Sequence, residues 1–318
     1  MVELRDEAHH TVVSVVPSIG NNAYEMKVNG KNVFWFPQSS VAEFAAEPRQ
    51  VGNPFLAPWA NRIDGDAFYA NGRKYTLNPE LGNFRRDANQ QPIHGLLVYS
   101  KLWEVVSLEA NADEASVVSR IEFFRHADLM SQFPFAHVLE MEYILRQGVL
   151  EVKTRIRNEG AQPMPVVIGY HPYFQVHDAP RDSWTVQLAA ERTWVLNEKL
   201  TPTGETTPVR DLFPNVSALK LAGVALDHVF GSLIRDAQGR AHFSVTGNRE
   251  KIEVIYGPKF NTAVVFAPQG RGDFICFEPM SAITNAFNLA HQGLYQELSS
   301  VPPGQTWEES FWIQPSGF

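Results

Sequence analysis

Residues 139–157, LEMEYILRQGVLEVKTRIR, hold the pattern from which the fold follows. Leu139, Met141, Tyr143 and Leu145 alternate with Glu140, Glu142 and Arg146. Leu150, Val152, Thr154 and Ile156 then alternate with Glu151, Lys153, Arg155 and Arg157. Successive side chains of a strand point to opposite faces, so this period of two predicts two strands, each with one dry and one wet face. Gln147-Gly148 between them predicts a tight hairpin turn.

Working outward, short runs of the same kind recur at 24–28, 117–123, 184–188, 243–246, 252–256, 263–266, 274–277 and 311–313. Gly, Pro, Asn and Asp punctuate the gaps. The 21 prolines are spread along the chain and leave little room for long helices. Short helical turns are expected near 40–46 and 286–292. No repeat and no linker-like stretch divides the sequence, so residues 1–318 are read as one domain. Many short strands with few short helices predict an all-β fold, a large antiparallel β-sandwich.

The bulk numbers narrow the function. Of 318 residues, 44% are hydrophobic and 19% charged, a globular composition. The net charge of −8, with no run of basic residues, argues against nucleic acid and against an anionic membrane surface. No run of 18 apolar residues predicts a membrane span. The N-terminal residues lack the apolar core of a signal peptide, and a single cysteine, Cys276, allows no internal disulfide. A cytoplasmic location is therefore expected. Cys276, between Ile275 and Phe277, reads as a small buried apolar residue rather than a nucleophile. No phosphate loop, dinucleotide fingerprint or zinc-ligand spacing is present, so no cofactor and no metal are expected.

Polar residues stand in unusual surroundings at five places. In Pro58-Trp59-Ala60-Asn61-Arg62-Ile63, an Arg beside an Asn offers several fixed donors, either to hydroxyls or to a surface carboxylate. His94, in Ile93-His94-Gly95-Leu96-Leu97, is either a satisfied core histidine or a site residue. In Ile168-Gly169-Tyr170-His171-Pro172-Tyr173-Phe174, Gly169 is expected to leave space beside His171, and Tyr173 and Phe174 to wall it. Such a histidine titrates near neutrality. Glu278, in Phe274-Ile275-Cys276-Phe277-Glu278-Pro279-Met280, shares one side of its strand with Phe274 and Cys276. A carboxylate ending an apolar strand either turns to solvent or is buried, and burial makes it a better base near neutrality. Asp227, in Leu226-Asp227-His228-Val229-Phe230, is a second carboxylate near a strand start.

Together and in this order, these stretches resemble the aldose 1-epimerase (galactose mutarotase) family. The matching segments are NRI at 61–63, HG at 94–95, GYHPYF at 169–174, LDHVF at 226–230 and EPMSAITNAFN at 278–288. The resemblance implies the galactose mutarotase-like supersandwich, with a sugar site on a broad concave face. It implies Glu278 as general base and His171 as general acid, with Arg62, His94, Asp227 and Asn61 binding the substrate. EPM stands where galactose-specific relatives carry EQQN, and the further sugar-contacting Gln of some relatives has no equivalent here. The chain is thus more similar to a divergent bacterial branch, and galactose preference does not carry over.

The chemistry suits these residue types. A cyclic sugar opens when its anomeric hydroxyl loses a proton and its ring oxygen gains one, which takes one base and one acid. Trp59, Tyr173 and Phe287 are candidates to stack on the sugar. The expected partner is a small-molecule aldose bound by a monomer or homodimer. Hexose 6-phosphates are the alternative substrates, with Arg62, Arg85, Arg86 and Lys74 as rim cations. A glycoside hydrolase using Glu278 with Asp227, and a non-catalytic carbohydrate-binding protein, are the rival readings.

Overall fold

The computed structural model describes residues 1–318 and is dominated by two large antiparallel sheets. The first has nine strands in the order Glu104–Ala110, Glu114–Glu122, His137–Arg146, Val149–Asn158, Thr306–Ser316, Lys251–Tyr256, Ala241–Thr246, Thr185–Gln187 and Leu219–Lys220. The second runs Pro202–Pro208, Ala190–Leu196, Leu226–Leu233, Thr262–Ala267, Ile275–Met280, Gly169–Tyr170 and Phe55–Leu56, and Tyr173–Phe174 also pairs with Ile275–Met280.

The expected hairpin forms the third and fourth strands of the first sheet. Leu145 pairs with Leu150 across a two-residue turn, and Gln147 (φ 51°) and Gly148 (φ 71°) both take the left-handed conformation such a turn requires. Along Val149–Asn158 buried and partly exposed residues alternate, as period two demands. Ile275–Met280 breaks that rule, since all six of its residues are buried. Ile275 and Phe277 point into the core between the sheets, while Cys276 packs on the other face with Tyr173 and Phe274.

The sheets meet through large aromatic contacts. Phe277 lies 6.2 Å from Phe243, and Tyr170 lies 4.8 Å from Phe311. One cluster of buried residues runs from Leu4 to Ile313, so the N-terminal strands share this core. The two expected helical turns form as Val41–Ala46, capped by the Ser40 hydroxyl, and Ala286–His291. Two further helices, Ala127–Gln132 and Val209–Leu212, are too short to imprint a helical period on the sequence. No helix is long and apolar enough to cross a membrane.

Candidate active site

The site forms on the face of the second sheet turned away from the first. Glu278 is the fourth residue of Ile275–Met280 and pairs in register with Val264. On the other side of that strand, Gly169 pairs with Met280 and Tyr173 pairs with Cys276. That register carries His171 to the position opposite Glu278. Regular pairing lapses at His171-Pro172 because proline donates no hydrogen bond. The His171 N–H instead donates to the Pro54 carbonyl (2.9 Å), and the Tyr173 N–H to Gly52 (2.8 Å).

The outcome is a direct meeting of two residues separated by more than a hundred positions. His171 Nε2 lies 3.3 Å from Glu278 Oε1, with the two side chains only 8% and 2% exposed. His171 Nδ1 and Glu278 Oε2 are also buried, and neither has a hydrogen-bond partner. Such atoms are costly unless something else completes them. The Tyr173 ring stacks on His171 (4.7 Å, 11°), and His94 meets it edge-on (5.4 Å, 84°).

His94 is held by an unusual piece of backbone. Its N–H donates to the Asn61 carbonyl at 2.8 Å, and His94 (φ 64°) and Asn61 (φ 55°) are both left-handed. For residues other than glycine this costs about 1–2 kcal/mol each, and such outliers cluster at functional sites. Gly95 next to it permits no side chain, because a Cβ there would lie 2.1 Å from the Ala57 carbonyl oxygen.

Arg62 is fixed from three directions. Its Nε donates to Asp87 Oδ2 at 2.6 Å, a guanidine nitrogen donates to Asn61 Oδ1 at 3.0 Å, and its carbonyl accepts from the Asn285 N–H at 2.9 Å. The Asn61 side-chain oxygen thus supports Arg62. Asn285 Oδ1 also accepts from the Asp64 N–H (3.0 Å). Ser281 exchanges two bonds with Ile168: its N–H donates to the Ile168 carbonyl (2.8 Å), and its hydroxyl accepts from the Ile168 N–H (2.9 Å). The stretch from Glu278 to Asn285 therefore supplies the carboxylate, ties the segment leading to His171 and clamps the loop of Arg62.

Asp227 is the second residue of Leu226–Leu233, the next strand but one. It pairs with Phe266, which pairs with Cys276, which pairs with Tyr173, so these four side chains form a row across the sheet beside the His171–Glu278 contact.

Burial shapes the protonation of the cluster. It raises the Glu278 carboxyl well above the usual range; the nearby Asp227 adds to this and Arg62 opposes it. Burial pushes the His171 imidazole down to about 3, reinforced by the charges of Arg85 and Arg62. His94 is depressed by burial and by His171, Arg85 and Arg62. Burial also raises Asp227, against the pull of Arg62 and His228. Both members of the His171–Glu278 pair thus resist their charged forms. Asp87 behaves oppositely. Burial alone would raise it, but the bond from Arg62 and backbone N–H groups of Gln91 and Asn89 hold it below the carboxylate range.

Glu278, His171 and His94 come together as expected, and the charges of Arg62 and Asp227 act on them. Other expectations are corrected. Trp59 and Phe287 are 0% and 1% exposed, so both are core residues and neither can stack on a sugar. Phe174 faces the core against Phe34, leaving Tyr173 as the aromatic beside His171. Gly169 leaves no open space: a Cβ there would meet Met280, the Pro279 carbonyl and Ala60 within 3.1 Å. Arg86 is occupied by Asp66 at 2.8 Å. Asp87, Ser281 and Asn285 escaped the sequence reading as site residues, although Ser281 and Asn285 lie inside the quoted segment 278–288.

Comparison with known proteins bears on family and fold. A family model described as aldose 1-epimerase matches residues 2–314. The Escherichia coli K12 protein YihR is 26% identical over 242 residues, covering 73% of this chain and 70% of YihR. A galactose mutarotase-like protein from Clostridium acetobutylicum superposes with a TM-score of 0.86 at 20% identity, covering 98% of this chain and 94% of its own, a likeness of fold. The Slr1438 protein from Synechocystis sp. PCC 6803 superposes with a TM-score of 0.77 at 27% identity, covering 100% of this chain and 96% of its own.

Proposed function

Because this chain belongs to the aldose 1-epimerase family, we propose that it interconverts the α and β anomers of an aldose by proton exchange between Glu278, His171 and the sugar. The observation that carries the reading is the 3.3 Å contact of the two groups in one buried site, each with a second polar atom left unpartnered. The anomeric hydroxyl and the ring oxygen share a single carbon. Their acceptor and donor therefore need to be neighbours, as Glu278 and His171 are.

In this mechanism the pair carries one proton, and sugar binding moves it from Glu278 to His171, so that a carboxylate and an imidazolium meet the sugar. Glu278 takes the proton of the anomeric hydroxyl. The C1–ring oxygen bond breaks as the hydroxyl oxygen forms the carbonyl, and His171 protonates the departing ring oxygen. The open aldehyde turns about C1–C2. Ring closure on its other face then returns both protons, with the two groups exchanging roles. Arg62 and His94 stabilise charge developing on oxygen, and Asp227 orients a hydroxyl.

The test follows the optical rotation of freshly dissolved α-glucose and α-galactose. The protein accelerates the approach to equilibrium, and His171→Asn lowers kcat by about 10²–10⁴-fold. A near-normal rate in that variant removes His171 from the mechanism.

A further inference from the structure

The loop that carries Asp87 ends a short ribbon, Arg85–Arg86 paired with Pro92–Ile93. Its two arginines and the neighbouring Arg62 differ in one respect. Arg62 is engaged by Asp87 and Arg86 by Asp66. Arg85 has no carboxylate partner, and its exposed side chain donates no hydrogen bond. Its guanidinium rests over the Tyr99 ring, 5.6 Å from the centroid.

Arg85 also shares a face with Arg62. Ile93 pairs with Arg85 on one side and with Arg62 on the other, so the two arginines flank it in one row. Its charge, together with that of Arg62, bears on His94 and His171, and it bears on Tyr173 as well. An unneutralised guanidinium thus stands on the histidine side of the site, beside Ile93 and His94.

We infer that Arg85 receives an anionic group carried on the sugar, and that the preferred substrates are hexuronates, aldoses whose C6 is a carboxylate. The inference rests on the mutarotase reading above, which sets the sugar's orientation. His171 serves the ring oxygen, and the C6 substituent hangs from the carbon on the far side of that oxygen from C1. It falls at the histidine end, where Arg85 is. A guanidinium fork matches a planar carboxylate with two parallel hydrogen bonds. A doubly charged phosphate calls for a cluster of cations, and the neighbouring arginines are already neutralised. Tyr99 beneath Arg85 restrains the fork at little further entropic cost.

The experiment measures anomer exchange by polarimetry or NMR for glucose, galactose, glucuronate, galacturonate and glucose 6-phosphate. The expected result is a kcat/KM at least tenfold higher for a hexuronate than for the matching neutral hexose. Arg85→Gln lowers that ratio by tenfold or more, and Arg85→Lys restores it in part. The hexuronate advantage also shrinks as salt rises. Neutral hexoses turned over as well as hexuronates, or a ratio unmoved by Arg85→Gln, overturn the inference and leave the mutarotase reading standing. A preference for glucose 6-phosphate overturns the choice of carboxylate. Failure to accelerate any of the five sugars defeats the mutarotase reading, and the inference with it.

Discussion

Two strands, Val149–Asn158 in the first sheet and Ile275–Met280 in the second, show how differently one protein treats its charges. The first alternates, and its outward charges find partners across the sheet: Arg155 meets Glu142 at 2.9 Å, and on the neighbouring strands Arg120 meets Glu140 at 2.6 Å. These ions stay near water, where each pair is worth about 0–1 kcal/mol. The second strand is buried throughout, and its one carboxylate sits beside a histidine instead of a cation. Water loosens the first arrangement at little cost, whereas the second is held against its own desolvation by the fold around it. A charge that the fold hides without neutralising is a candidate for chemistry.

The sharpest way to break this contrast is Glu278→Gln. It is expected to lower kcat by about 10²–10⁴-fold, read from polarimetric rates, and yet to raise the melting temperature by a few degrees at neutral pH. The sign follows from linkage. The folded carboxyl titrates well above its unfolded counterpart, so its stabilising effect is complete only at acid pH and is lost as pH rises. Glutamine removes that loss, so the stability gain grows from pH 5 to pH 8. An equal or lower melting temperature at pH 8 refutes the idea that Glu278 is held at a cost.

Next in size is Asp87→Asn. It breaks the 2.6 Å bond that fixes Arg62, and a charge-assisted bond of this kind is worth about 1.5–3 kcal/mol. The expected result is a loss of roughly tenfold or more in kcat/KM, with little added loss in the Asp87→Asn, Arg62→Ala double variant. Full additivity of the two single losses contradicts the assignment of Asp87 as a positioning residue.

A smaller effect concerns acid. Burial holds His171 down to about 3 and His137 down to about 4, the latter partly offset by its bond to the Phe135 carbonyl. The unfolded chain binds protons on both residues at ordinary histidine pH, and the folded chain does not. Stability therefore falls as pH drops from about 6.5 toward 4. His171→Asn flattens that slope when melting temperatures are followed over this range, and an unchanged slope counts against a neutral buried His171. Smallest of all is Arg120→Ala on the first sheet. It changes stability by less than about 1 kcal/mol in denaturant titrations and leaves the mutarotation rate alone.

The same contrast explains what was legible in the sequence. Leu139–Arg157 announces its hairpin because each strand has water on one side, which forces alternation. The polar residues of the second sheet are legible as oddities: a His before a Pro, a Glu at the end of an apolar run. Their pairing is not, because the register that sets His171 opposite Glu278 depends on a strand that stops at Tyr170 and resumes at Tyr173. Trp59 and Phe287 looked like sugar platforms because an aromatic near a motif reads the same whether it faces a ligand or the core. Asp87 lies in a loop without periodicity, where only the fold reveals its hold on Arg62.

The ties made by Ser281 and Asn285 have a bearing on descent. Glu278, His171 and Arg62 are braced by one unbroken segment, while the Arg85 side chain takes no part in that bracing. Lineages are thus free to replace the Arg85 side chain and change which sugars are accepted, whereas Asp87 and His94 on the same stretch stay bound to the loop of Arg62.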